Sequence, residues 1–214
     1  MPRKNQKFNG FDEETPEEEF VELDEEQFRV SLLKRRIVLL TGDITEKKVG
    51  DIKGSLVELS MASPKKNIIL FINSDGGEIE SGLFLYDFMT SFLKAPVIGV
   101  VGAQCVSMAP IVLQGCTKRI AAPHSIFSFH ATRIETTIVY HPSMKDRMKK
   151  IKIYLAKNEQ QSNKILEKHS KMPLSEIKRL SFVNNGDGTI FSAEEALKKG
   201  LIDEIAEGDE YKIF

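Results

Sequence analysis

The chain has 214 residues, 41% of them hydrophobic and 29% charged, a composition that suits one globular domain with a sizeable core and excludes disordered or collagen-like chains. Thirty basic and thirty-one acidic residues leave a formal net charge of −1, so no global field favours nucleic acid or a membrane surface as partner. The charge is unevenly placed: residues 1–26 hold ten acids and three bases, a net of −7, and the rest of the chain carries +6. With few large apolar groups, that segment is expected to be flexible, which leaves residues 27–214 as a single domain.

No apolar run approaches the roughly 20 residues of a membrane-spanning helix. The acidic N-terminus has neither the apolar core of a secretory signal nor the Arg-rich character of a transit peptide. A cytoplasmic location is expected. Cys105 and Cys116, without a CxxC pair or a histidine at ligand spacing, read as small buried hydrophobes and not as a disulfide or zinc site.

In chain order, residues 36–40 form a short apolar strand. Thr41-Gly42-Asp43 is turn chemistry, and Val49, Ile52, Leu56 and Leu59 follow at helical spacing. The cycle repeats with a buried strand at 68–72, a Gly-containing turn at 73–77, and a helical stripe of Ile79, Leu83, Tyr86 and Met89. A third strand at 97–101 leads through a turn at 102–106 to the apolar run 108–113, whose Pro110 is acceptable only near the first turn of a helix. Strands alternating with helices imply parallel pairing through right-handed crossovers, an α/β fold. Ligands then bind at the carboxyl ends of the strands, where the turns 73–77 and 102–107 fall.

A further strand is expected at 126–129, and a long polar helix from Met144 to about Ser170. Met144, Met148, Ile151, Leu155, Asn158, Ser162 and Ile165 alternate in steps of four and three, a heptad-like seam with polar breaks. At 1.5 Å per residue such a helix runs nearly 40 Å, so it either packs along its own core or projects into a partner subunit.

With no Walker A sequence, GxSxG elbow or GxGxxG loop in the chain, chemistry without a cofactor calls for a nucleophile, a base and an orienting group. Ser107 stands where a strand-end turn becomes a helix, a position that suits a nucleophile but that local sequence alone assigns to an N-cap serine without chemistry. His130 ends the strand 126–129 and reaches the same sheet edge, where an imidazole can take a serine proton. His124, His141 and His169 lie in a turn, a Pro-flanked loop and a helix end, places without a catalytic logic. Gly76-Gly77 can turn main-chain N–H groups toward a substrate oxygen that gains charge, although a plain turn has the same composition.

Residues 68–77 (IILFINSDGG), Gly82-Leu83 and Tyr86-Asp87 resemble the proteolytic subunit of the ATP-dependent Clp protease. So do residues 104–108 and 123–130, Ser192-Ala193-Glu194-Glu195-Ala196 and Gly200-Leu201-Ile202-Asp203. The motifs keep family order across about residues 36–205. The resemblance implies a ClpP/crotonase-type α/β fold of repeated β-β-α and βα units with a projecting handle helix over about residues 144–170. It implies a serine endopeptidase without cofactor, in which Ser107 is the nucleophile, His130 the general base and the N–H groups of Gly77 and Met108 the oxyanion hole. The third triad member falls on Asp187, with Asn184 as the alternative when the count runs forward from Ile177. Self-association into heptameric rings, stacked as a tetradecamer, and an AAA+ Clp unfoldase that feeds unfolded polypeptides are implied as partners, with no nucleic acid or membrane. Asp75 replaces the family's proline, Ala109-Pro110 follows Ser107-Met108, and residues 131–137 lack the usual glycines. A catalytically silent ring subunit, a phage-type head-maturation protease of the same fold and, more remotely, a crotonase-like acyl-CoA enzyme are the alternatives.

Overall fold

The computed structural model describes residues 24–133 and 143–213. Most of the acidic segment, His141 and residues 134–137 lie outside the described residues. The last residues of the acidic segment, Glu25 and Glu26, lie in a helix. Asp24 caps α1 (Glu25–Lys34): its carboxylate accepts the Gln27 amide at 2.8 Å, and the Gln27 side chain accepts the Asp24 amide at 3.1 Å.

Among the described residues seven strands build one sheet: β1 (Ile37–Ile44), β2 (Ile68–Gly77), β3 (Val97–Val106), β4 (Lys118–Ala121), β5 (Ile126–Phe129), β6 (Thr189–Phe191) and β7 (Glu204–Ile205). The order is β1-β2-β3-β4-β7, with β5 on the upper part of β3 and β6 on β5. Of these pairings the β5–β6 one is antiparallel and the others are parallel. The crossovers are α2 (Glu46–Ala62), α3 (Ile79–Asp87, extended by a π-helical turn Phe88–Phe92) and α4 (Ala109–Leu113). This is the expected α/β architecture.

The local reasons are those of the sequence. Thr45 caps α2 by accepting the Lys48 amide at 3.3 Å, and Val49, Ile52, Leu56 and Leu59 bury the face that the spacing marks out. Ile68, Leu70 and Ile72 are fully buried, each stabilising the fold by about 1.5–3 kcal/mol. Pro110 sits in the first turn of α4. Both cysteines are free and buried.

The expected turns at 73–77 and 102–106 are strand instead. β1 and β2 pair through Asp43↔Gly76 and Ile44↔Gly77 after a register shift, and β2 meets β3 again at Ser74↔Cys105. A bulge absorbs the irregularity without ending the ladder. Buried Ser74 holds it, its hydroxyl donating to the Gly42 carbonyl at 2.6 Å and accepting the Gly76 amide at 3.1 Å. Turn composition therefore marks a bulged strand end here, because side-chain hydrogen bonds replace those that the bulge removes.

The C-terminal part is α5 (Met144–His169), α6 (Leu174–Ser181), the irregular turn α7 (Val183–Gly186) and α8 (Ala193–Lys199). The second half of α5 packs on the core through Asn158, Asn163 and Leu166. In the first half Met148, Ile153 and Tyr154 stay exposed. Among the described residues, no helix is long and apolar enough to cross a membrane.

Arg119 ties the end of α5 to β4. Its guanidinium donates to the carbonyls of His169 (2.9 Å) and Gly200 (3.0 Å) and pairs with Asp203 at 2.5 Å. The His169 ring faces the Tyr86 hydroxyl, with Nε2 at 2.9 Å from Oη. Burial, with Lys168 and Arg119 nearby, holds the His169 pKa below its usual 6.5. The fold thus favours the neutral ring, and the unfolded chain binds the proton more readily. This contribution to stability is full above pH 6.5 and is lost as the pH falls through the lowered folded value. Denaturant unfolding of wild type and His169→Gln between about pH 7.5 and 5.5 should show a smaller acid loss in the variant; equal losses would assign the acid sensitivity elsewhere.

Candidate active site

The carboxyl ends of β2, β3 and β5 open, beneath α5, onto a cleft of about 700 Å³. Gly76, Gly77, Ser107, Met108 and His130 all line it. The site residues come from three strand ends that are distant in sequence and neighbours in the sheet.

Ser107 directly follows β3 in the left-handed conformation, with φ of 59°, which is uncommon for a residue with a Cβ. Two contacts keep it there. Its amide donates to the Ser128 carbonyl at 2.8 Å, tying it to β5. From the other side Gly76 presses close: a Cβ on Gly76 would lie 2.5 Å from the Ser107 Cβ and 2.8 Å from the Met108 nitrogen. With φ of 98°, Gly76 also has a conformation that a side chain rarely adopts. The Ser107–Met108 peptide is thereby clamped against the end of β2, and Met108 caps α4.

His130 follows β5, and its Nδ1 lies 2.7 Å from the Ala131 carbonyl. A carbonyl only accepts, so Nδ1 carries the proton and Nε2 keeps its lone pair. Asp187 does not hold this ring. It pairs with Arg133 at 2.5 Å, with the two side chains 73% and 56% exposed, a contact worth about 0–1 kcal/mol. Neither Asp187 nor Asn184 lines the cleft. The residue that faces His130 is Gly188, where a Cβ would lie 2.7 Å from the His130 Cα and 2.8 Å from its Cβ and would collide with the Phe129 carbonyl. No side chain fits at that point, and the Asp187 carboxylate, one residue before it in the chain, turns to the guanidinium.

The sequence reading did not single out Glu159, Ser162, Asn163 and Leu166 of α5 as cleft residues, nor Asp43, and all five line it. The i, i+3, i+4, i+7 spacing of the α5 group was the available signal for one helix face. Cys105 and Cys116 offer no second nucleophile: burial pushes the Cys105 thiol well up and the Cys116 thiol to about 12, so neither supplies thiolate. Among the described residues no group of three His, Cys, Asp or Glu side chains could hold a metal ion.

A mostly parallel sheet that brings a strained serine, a histidine and a two-glycine strand end to one cleft defines an α/β protein with a hydrolase type of site. Comparison with known families agrees: the sequence model of Clp protease matches residues 22–209. The chain belongs to the Clp protease family, peptidases that assemble into rings.

The clamp at Gly76 yields a stability prediction. Gly76→Ala should lower the unfolding free energy by at least about 1–3 kcal/mol from backbone strain alone. Gly50→Ala, in α2 with open space around it, should be neutral or stabilising by up to about 1 kcal/mol. Denaturant titration of both variants checks the contrast.

Proposed function

We propose that the chain is a serine-type endopeptidase subunit that cleaves unfolded polypeptides. The observation that carries this reading is the single cleft lined by Ser107, His130, Gly77 and Met108. Ser107 Oγ attacks the carbonyl carbon of the scissile bond while His130 Nε2 takes the hydroxyl proton. The N–H groups of Gly77 and Met108 meet the oxygen as it gains charge. His130 returns the proton to the leaving amine, and water, activated by the same ring, hydrolyses the acyl-enzyme. The Ala131 carbonyl supports this role by fixing the ring as the Nδ1–H tautomer, the part that Asp187 was expected to play.

The wider assembly belongs to the same proposal. Subunits form heptameric rings that stack into a tetradecamer around a chamber. An AAA+ Clp unfoldase delivers substrate, and the particle works in the cytoplasm. The exposed apolar side chains on the first half of α5 support a subunit contact there, since they would otherwise stay in water. A catalytically silent ring subunit is the second reading, favoured by one observation: Asp187 is engaged by Arg133.

A fluorophosphonate probe separates the two. Intact mass should show one adduct per subunit on the assembled wild type and none on Ser107→Ala or His130→Ala. No adduct on a correctly assembled particle would make the silent reading the correct one. Asp187→Asn should keep labelling and peptide hydrolysis within about tenfold of wild type, against a loss of about 10⁴ or more for Ser107→Ala. A loss in Asp187→Asn as deep as in His130→Ala would restore Asp187 as the group that orients the ring.

A further inference from the structure

β2 and β3 leave their register between Ile72↔Val101 and Ser74↔Cys105, where residues 102–104 of β3 stand against Asn73 alone. β1 and β2 do the same between Thr41↔Asn73 and Asp43↔Gly76, where Gly42 stands against Ser74 and Asp75. Both irregularities meet at Asn73-Ser74. A bulge disrupts the ladder locally, so other bonds have to fix how far apart the three strand ends stand.

The side chains of these two residues supply them. Asn73 Oδ1 accepts the Gln104 amide at 3.2 Å, joining β2 to β3. Ser74 Oγ donates to the Gly42 carbonyl of β1 at 2.6 Å and accepts the Gly76 amide of its own strand at 3.1 Å. Ser74 is fully buried and Asn73 half-buried. Gly76, whose amide Ser74 accepts, stands against the Ser107 Cβ and the Met108 nitrogen. Gly77 comes next, so close to β1 that a Cβ on it would collide with the Ile44 main chain. The N–H groups of Gly77 and Met108 thus belong to the ends of two strands whose spacing at this height is set by side-chain bonds. Neither Asn73 nor Ser74 lines the cleft.

We propose that Asn73 and Ser74 are positioning residues of the peptidase: through the double bulge they set the separation of the Gly77 and Met108 N–H groups that receive the oxyanion. The effect falls on the transition state. A slightly displaced donor still lets a peptide bind, but it meets the charged oxygen poorly. Loss of either side-chain bond therefore lowers kcat more than it raises KM. This role rests on the peptidase reading of the cleft.

The test uses the assembled full-length protein and the internally quenched peptide that wild type cleaves fastest in a mixed-sequence set. The N-terminal half of that peptide is also made as an aldehyde and as an alcohol. When Ser107 Oγ adds to the aldehyde carbon, a C–O bond forms, the carbonyl electron pair moves onto oxygen and the hydroxyl proton passes to His130. The aldehyde therefore reports on the oxyanion donors and the alcohol does not. Ser74→Ala should lower kcat by about tenfold to a hundredfold with KM within about threefold, and weaken the aldehyde by a like factor while the alcohol binds as before. Asn73→Ala should lower kcat by about tenfold, and Asn73→Asp, which keeps the Oδ1 acceptor, should recover most of it. Ser60→Ala is the matched control, since the Ser60 hydroxyl is also buried and accepts the Ala95 amide at 3.1 Å, away from the cleft. It should lose stability and keep kcat within about twofold of wild type.

An unchanged kcat in Ser74→Ala, or aldehyde and alcohol weakened in equal proportion, overturns the inference and leaves the peptidase reading standing. If Ser74→Ala does not assemble, the Asn73 variants decide: an unchanged kcat in Asn73→Ala, or no recovery in Asn73→Asp, overturns it in the same way. A wild type that cleaves no member of the set overturns both.

Discussion

Gly76 lies so close to Ser107 that a Cβ on it would stand 2.5 Å from the serine's own, and this approach governs the geometry of the whole cleft. It exists because β2 and β3 keep pairing beyond the apolar core, through a bulge that the Ser74 hydroxyl holds closed. The core residues Ile68, Leu70 and Ile72 anchor the lower part of β2, so the polar upper part is delivered to the sheet edge on a rigid base. A site built on strand ends is held more tightly than one on loops, and a serine in a left-handed conformation needs that support.

On the opposite side of the cleft the same economy of space sets the surroundings of His130. β5 and β6 pair Phe129 with Thr189, which lays Gly188 against the histidine main chain with no room for a side chain. The imidazole takes its orientation from the Ala131 carbonyl, a main-chain group that no substitution of a side chain removes directly. Asp187, displaced by one residue, is spent on an exposed pair with Arg133. Proximity in sequence to a family position does not by itself bring a carboxylate to a ring, since one residue of offset turns its side chain elsewhere.

α5 joins two environments. Its second half buries Leu166 and Asn163 against the domain and walls the cleft, and its first half leaves Met148, Ile153 and Tyr154 in water. The polar breaks at Asn158 and Ser162 fall where the helix passes from one setting to the other. Those breaks, read as interruptions of an apolar seam, lie beside the residues that give the cleft its polar character.

By itself the sequence determined the alternation of strands and helices, the burial pattern of β2 and α2, the place of Pro110 in the first turn of α4, and the candidacy of Ser107, His130 and the two glycines. Each of these follows from local periodicity, from backbone chemistry or from motifs that resemble those of one family. Tertiary structure decided what depends on register. The segments with turn composition proved to be bulged strand, because whether a ladder ends is settled by the partner strand and by a buried serine hydroxyl. Asp187 went to Arg133, because it is Gly188, one residue on, that lies against the His130 main chain, where a side chain has no room. Glu159 and Asn163 joined the site, because α5 crosses the sheet edge at that height, and nothing within α5 states where the sheet ends.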